Sequence, residues 1–87
     1  MARVSILPVA RGDLIEIGEY IALDSQRRVT MFVEEIVAVI SEQIALRPLR
    51  FPARDDLALG LRAACHPRYM IFFTCLEDSI EVVRVPR

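Results

Sequence analysis

A chain of 87 residues has room for a single domain with one hydrophobic core, so we expect one domain over residues 1–87. Hydrophobic residues make up 54% of it, yet no apolar run reaches the roughly 18 residues that a membrane-spanning helix needs. The first residues also lack the apolar core and small-residue cleavage site of a signal peptide. These features exclude a membrane-spanning protein and predict a cytoplasmic location.

The charge is nearly balanced overall but unevenly distributed. The net charge is −1, and all 11 basic residues are arginine. Residues 1–46 carry four Arg against seven Asp or Glu, whereas residues 47–68 carry five Arg against two Asp. The planar guanidinium suits an acidic protein surface or a nucleic acid, because it binds carboxylate or phosphate in bidentate fashion. A high genomic GC content would produce the same preference for arginine, and both explanations stay open.

Few residues are available for metal or thiol chemistry. Cys65 and Cys75 lack the spacing of metal ligands, and we expect them to be buried thiols rather than a disulfide. The one histidine, His66, precedes Pro67 and Arg68 in a segment typical of a turn. The sequence therefore predicts no metal site and no cofactor.

The first half of the chain predicts a strand and two helices. Residues 2–7 alternate as a short strand that Pro8 stops. Residues 9–24 predict a first helix from the spacing of Leu14, Ile17 and Ile21. Asp24 and Ser25 provide an N-cap for a second helix, which ends at or before Pro48. Its apolar stripe consists of Val29, Phe32, Val33, Ile36, Val37, Ile40 and Ile44.

The second half predicts three strands after a loop. The loop spans residues 47–56 and carries Arg47, Arg50 and Arg54. Strands follow over residues 57–65, 69–76 and 80–85, and the middle one is apolar on both faces, as is typical of a central strand. The order β-α-α-β-β-β predicts an α+β fold, in which a helical hairpin packs on one face of a small, mainly antiparallel sheet.

The predicted helical hairpin has more apolar surface than one sheet contact needs. The second helix carries Met31, Ala38, Val39 and Leu46 beside its main stripe. Such surplus apolar area is typical of an interface, and either a partner or a homodimer would cover it.

Three segments resemble the ParE branch of the ParE/RelE superfamily. Residues 7–22 are similar to the family's strand-to-helix opening, in which Asp-Leu is followed by Glu-Ile and then Tyr-Ile-Ala. Residues 52–57 with Gly60-Leu61-Arg62 resemble its loop and second strand, and residues 69–73 with 78–85 resemble its final hairpin. Each motif is weak alone, but their order and spacing agree over nearly the whole chain.

The resemblance implies a toxin of a type II toxin-antitoxin system, of the plasmid stabilisation type. The expected partner is a ParD-like antitoxin in a heterotetramer or larger complex, with DNA contacted only through the antitoxin. ParE relatives inhibit DNA gyrase without catalysis, so gyrase is the expected target and we predict no catalytic residues. Candidate antitoxin-binding residues on the outer faces of the hairpin are Tyr20, Leu23, Met31 and Val39. Candidate target-binding residues are Arg54, Arg62, Tyr69, Arg84 and Arg87, with Arg62 and Arg84 on an open sheet face.

Two other functions stay open. The RelE branch cleaves ribosome-bound mRNA, for which Arg62, Arg84 and Arg87 offer cations and Tyr69 an acid, but no general base is apparent. From the end of the last strand the chain reads Arg84-Val85-Pro86-Arg87 and lacks the terminal His and Arg usual in the family, which weakens a nuclease assignment. The chain would otherwise be a degenerate relic that binds antitoxin without being toxic. Under any of these functions, Arg62 and Arg84 can equally be ordinary strand arginines that face solvent or form ion pairs, with Glu81 or Asp56 as partners.

Overall fold

The computed structural model describes residues 3–86, so Ala2 in the first predicted strand and the candidate residue Arg87 lie outside the described residues. The elements in chain order are β1 (Arg3–Ile6), α1 (Pro8–Ala22), α2 (Gln26–Ala38), a π-helical segment (Val39–Ile44), a 3-10 helix (Pro48–Arg50), β2 (Leu61–Cys65), β3 (Met70–Cys75) and β4 (Ser79–Arg84). The predicted α+β fold and its element order are confirmed.

The four strands form one mixed sheet in the order β1-β4-β3-β2. The strands β2, β3 and β4 are an antiparallel meander, as predicted, and β1 joins it in parallel beside β4. The two inner positions belong to β3 and β4. The prediction that the strand apolar on both faces is central is therefore confirmed.

The two helices begin where their sequences predict. Pro8 occupies the first turn of α1, where its fixed φ fits and its missing N–H costs nothing. Ser25 is the N-cap of α2, and its side chain accepts a hydrogen bond from the backbone N–H of Arg28 at 3.4 Å. Local side-chain chemistry thus determines both helix starts.

The predicted second helix is correct in extent but not in type. After Ala38 the chain continues as a π-helical segment to Ile44, where the N–H of Ala45 donates to the carbonyl of Ile40 at 2.8 Å. Within this segment Ser41 Oγ donates to the Val37 carbonyl at 2.6 Å, a contact of the kind that bends helices. The prediction of a regular α-helix up to Ile44 is therefore wrong for its final turns.

The hydrophobic core lies between the hairpin and one face of the sheet. Ile17 of α1 and Phe32 and Ile36 of α2 are buried against it. On the sheet side the fully buried core residues are Ile71, Phe73, Ile80 and Val82. The expectation that the helices cover one sheet face is confirmed.

The predicted strand over residues 57–65 is wrong in its first half. Residues 57–60 form turns, and β2 begins only at Leu61. Asp55 Oδ1 accepts the N–H of Gly60 at 3.0 Å, and Gly60 adopts a φ of 80°, which ends any extended run. Leu57 and Leu59 are exposed, so their alternation with small residues imitates a strand that does not form.

The two cysteines are free and exposed, so the expectation of buried thiols is wrong. Cys65 is the last residue of β2 and Cys75 the last residue of β3. Their register partners are Met70 and Ile80, which places the two thiols at opposite ends of β3.

Replacing Gly60 by alanine should destabilise the chain by about 1 kcal/mol, because a Cβ is strained at positive φ although nothing lies within 4 Å of it. Gly18 is the matched control, since its added Cβ also meets open space but within α1. Gly18→Ala should stabilise the chain by about 0.5–1 kcal/mol. Urea unfolding of both variants is the measurement, and equal effects would contradict the role of the Gly60 backbone.

Candidate binding surfaces

Asp13 joins α1 to the end of β4. Its carboxylate accepts hydrogen bonds from Arg84 Nε at 2.8 Å and Arg84 Nη2 at 3.1 Å, and from the backbone N–H of Val85 at 2.8 Å. The side chain of Asp13 is only 13% exposed, whereas that of Arg84 is 51% exposed. The sequence analysis offered Glu81 or Asp56 as partners for strand arginines, and the structure instead pairs Arg84 with a residue 71 positions away.

The same contacts determine the protonation of the pair. The hydrogen bonds from the Arg84 side chain hold the pKa of Asp13 below its ordinary value, against the opposing effect of partial burial. The Asp13 carboxylate in turn raises the pKa of Arg84. Arg84 is therefore a permanent cation whose inner edge is occupied by Asp13.

Arg54 is engaged by a neighbour in its own loop. Its Nε and Nη2 each donate to a carboxylate oxygen of Asp56 at 3.0 Å. This bidentate pair raises the pKa of Arg54 and lowers that of Asp56. Because Asp56 is already bound to Arg54, it is not the partner of a strand arginine.

Arg62 and Arg84 lie on opposite faces of the sheet, so the expectation that they share one open face is wrong. Residues directly opposed on antiparallel strands have side chains on the same face. Arg62 is opposite Phe73, whose side chain is buried under the hairpin, whereas Arg84 is opposite Phe72. Opposite Phe72 and Phe73, β4 contains one extra residue, Val83, so the strand has a bulge there. The simple alternation of side chains along a strand therefore predicts the wrong face for Arg84.

Arg62 supports the loop that precedes β2. Its Nη1 donates to the backbone carbonyl of Phe51 at 2.7 Å, and the Phe51 ring meets that of Phe73 edge to face at 5.8 Å. Phe51 thus packs against the core cluster, a role that the sequence analysis did not assign to it. An aromatic residue in an otherwise charged and proline-rich loop was the available signal.

Tyr69 belongs to the core and is only 5% exposed. Its ring meets Phe32 of α2 edge to face at 5.7 Å and stacks on His66 at 4.2 Å. Its hydroxyl is buried without a hydrogen-bond partner among residues 3–86. Burial raises its pKa, and the nearby Glu35 carboxylate adds to this effect. Tyr69 therefore does not lie on the open face that its assignment to target binding requires.

His66 lies on the β2–β3 turn, as predicted, but it also contacts the hairpin. Its Nε2 lies 2.8 Å from Glu35 Oε1 on α2, and its Nδ1 accepts the N–H of Arg68 at 3.4 Å. Nε2 is then the protonated nitrogen that donates to Glu35. No group of three or more His, Cys, Asp or Glu side chains within residues 3–86 is arranged to hold a metal ion.

Three of the four hairpin candidates are accessible. Tyr20, Leu23 and Met31 are 62%, 86% and 56% exposed, respectively. Val39 instead packs against the core from the π-helical segment and has less surface to offer. No helix within residues 3–86 has the length and apolar character to cross a membrane.

Arg84 and Arg62 also border two different shallow depressions. The first lies on the open sheet face, beside Arg84, and is lined by Leu57, Leu61, Phe72, Val83, Arg84 and Pro86. The second lies between the 3-10 helix and β2, beside Arg62, and is lined by Leu49, Ala53, Asp55, Leu59, Gly60, Arg62 and Cys75. Neither Leu49 nor Leu59 was predicted as a surface candidate; the position of Leu49 in a polar loop was a signal, whereas Leu59 fell within the predicted strand over residues 57–65.

The fold and these surfaces define a small α+β domain with a helical hairpin on a four-stranded mixed sheet. A family profile described as the ParE toxin of type II toxin-antitoxin systems, parDE, matches residues 4–87. The chain therefore belongs to the ParE toxin family, as the resemblance implied. No match is found among curated proteins.

Comparison with solved structures supports the same fold. The chain is similar to one described as the chromosomal ParDE TA system from P. aeruginosa, with a TM-score of 0.74 and 22% sequence identity. The alignment covers 100% of this chain and 96% of that chain. At this level of identity the similarity shows the fold alone.

Replacing Asp13 by asparagine should lower the free energy of unfolding at neutral pH by about 1–3 kcal/mol, because charged hydrogen bonds to Arg84 and Val85 are lost. The folded pKa of Asp13 is depressed, so its contribution is complete above the unfolded pKa of about 4 and is lost as the pH falls through the lower, folded pKa. Urea unfolding at a series of pH values should show wild type and variant converging in acid. A difference that is independent of pH would contradict this role.

Proposed function

We propose that this member of the ParE family is the toxin of a type II system, that a ParD-like antitoxin neutralises it, and that it inhibits DNA gyrase by binding. The observation that carries the proposal is the match of residues 4–87 to the ParE toxin family. The separation of the candidate catalytic residues in the fold supports binding over catalysis.

The candidate catalytic groups do not converge. Cleavage of RNA without a metal needs an acid, a base and a cation within hydrogen-bond reach of one phosphate. Arg62 and Arg84 lie on opposite faces of the sheet, and Tyr69 is buried in the core. This geometry favours the gyrase hypothesis over ribosome-dependent mRNA cleavage.

A target-binding surface on the open sheet face fits the remaining candidates best. Arg84 is half exposed, and its Nη1 has no partner among residues 3–86, so it can still donate to an acidic group. Phe72 and Val83 line the apolar depression beside it. Arg87, three residues further along, stays a candidate for the same surface, whereas the charge of Arg54 is paired with that of Asp56.

The antitoxin-binding surface that we propose is the outer side of the hairpin. Tyr20 and Leu23 lie near the end of α1, and Met31 lies on α2. An antitoxin helix or strand that covered these side chains would bury apolar area that the sheet leaves exposed. Two toxins would bind an antitoxin dimer in a heterotetramer or larger complex, and only the antitoxin would contact DNA.

The purified chain should inhibit supercoiling by DNA gyrase and cause cleaved DNA to accumulate. Addition of a ParD-like antitoxin expressed from the neighbouring open reading frame should restore supercoiling. The control is an in vitro translation reaction with the same toxin, analysed for cleaved mRNA. Cleaved mRNA with normal supercoiling would replace the gyrase hypothesis with the RelE-like one. A chain that binds its antitoxin and affects neither reaction would be a degenerate relic.

Leu23→Glu should weaken antitoxin binding at least about tenfold, because a charge would replace an exposed apolar side chain at the proposed interface. Leu76→Glu is the matched control, since Leu76 is also an exposed leucine but lies between β3 and β4. Isothermal titration calorimetry measures both affinities. Equal weakening by the two substitutions would remove the hairpin from the interface.

A further inference from the structure

We propose that the depression between the 3-10 helix and β2 binds an acidic, apolar segment of a partner protein. We call it the leucine groove and define it by Leu49, Ala53, Leu59 and Arg62. The proposal rests on the proposed function only in that the chain works by binding proteins. It does not depend on which protein is the target.

The apolar part of the groove is unusually accessible. Leu59 is 91% exposed and Leu49 is 69% exposed, and both line the same concave surface. Exposed leucines scattered singly are ordinary, whereas Leu49 and Leu59 border one depression and form a small apolar patch with polar residues around it. The two leucines can therefore accept apolar side chains of a partner between them.

The charge of the groove determines which partner fits. The Arg62 side chain donates to the carbonyl of Phe51, and no carboxylate among residues 3–86 forms an ion pair with it. Asp55 also lines the groove, but its Oδ1 already accepts the N–H of Gly60. A carboxylate of the partner would gain a charge-assisted hydrogen bond from Arg62.

Two further arginines border Leu49 in the sequence. Arg47 and Arg50 are exposed, and neither has an ion-pair partner within residues 3–86. Residues 47–62 carry four Arg against two Asp, a balance of +2 in a chain whose net charge is −1. This local excess attracts an acidic partner and orients it towards the groove.

Backbone hydrogen bonds hold one side of the groove in place. The loop before β2 pairs with this strand through two backbone hydrogen bonds. The N–H of Arg54 donates to the carbonyl of Leu61 at 2.6 Å, and the N–H of Ala63 donates to the carbonyl of Pro52 at 3.1 Å. This edge of β2 is therefore already occupied, and a partner cannot extend the sheet there. Recognition must proceed through side chains, and a preformed surface reduces the entropy lost on binding.

A protein segment fits the groove better than a nucleic acid. Its side-chain lining consists of leucine, alanine, cysteine, Asp55 and Arg62, without an aromatic ring on which a base could stack. The sequence pI of about 5.8 also opposes general binding to phosphate backbones. An extended segment that alternates acidic and apolar residues satisfies both parts of the groove.

The test uses the full chain and a fluorescein-labelled synthetic peptide that alternates glutamate and leucine, with binding followed by fluorescence anisotropy. We expect saturable binding that weakens as salt is added. Leu59→Ser and Arg50→Glu should each weaken it at least about fivefold. The matched controls Ile15→Ser on α1 and Arg68→Glu on the β2–β3 turn, both exposed and away from the groove, should leave the affinity unchanged. Thermal unfolding of every variant confirms that it is folded.

Equal binding of a lysine-leucine peptide, or equal weakening by the control variants, would overturn the proposal. Displacement of the glutamate-leucine peptide by single-stranded DNA at similar concentration would also overturn it, in favour of a nucleic-acid site. The gyrase assay separates this proposal from the proposed function. Peptide binding without gyrase inhibition would refute gyrase as the target and leave the groove in place, whereas inhibition by a chain that does not bind the peptide would refute the groove.

Discussion

The packing of the helical hairpin on one face of the sheet is the constraint on which the other features depend. Phe32 and Ile36 of α2 meet Phe73 of β3 and Val82 of β4 in a single core cluster. A chain of 87 residues can bury only a limited share of its surface, so one such layer uses most of the available core. The outer hairpin and the loop before β2 keep large apolar side chains in solvent, and Phe72 and Val83 on the opposite sheet face are half-buried. The exposed surface is therefore a consequence of the small size and two-layer architecture.

Three arginines are held by contacts within the chain. Arg54, Arg62 and Arg84 each make a specific contact within the chain, with Asp56, the Phe51 carbonyl and Asp13, respectively. These contacts fix the direction of the guanidinium groups and leave part of Arg62 and Arg84 for other acceptors. Such fixed cations suit the positioning of an acidic partner, because little side-chain freedom remains to be lost on binding.

The hairpin surface, the open sheet face and the leucine groove are formed by different residues. Leu23 belongs to the first, Phe72 to the second and Leu59 to the third. Because the three surfaces do not share side chains, different segments of one partner chain could occupy several of these surfaces at the same time. An extended segment is the shape that suits such a set of shallow surfaces, since no single one is deep enough to enclose a ligand.

Local sequence signals determined most of the secondary structure. Ser25 predicts the start of α2, the stripe through Phe32 and Ile36 predicts its core-facing side, and the apolar run at β3 predicts a central strand. Each of these depends on residues within a few positions of one another. Membership of the family could also be predicted, because the resemblance rests on local motifs and on their order and spacing along the chain.

The tertiary structure alone decided which groups meet. The contact between Asp13 and Arg84 joins residues 71 positions apart, and no local pattern selects Asp13 over Glu81. The register shift that places Arg84 opposite Phe72 depends on how two strands pair, and the position of Tyr69 in the core depends on Phe32 of another element. Side-chain alternation is a property of one strand, whereas burial and ion pairing depend on the elements that pack against it. For this reason the sequence by itself determined the fold class and the helix starts, and the packed structure decided which arginines and leucines are available for binding.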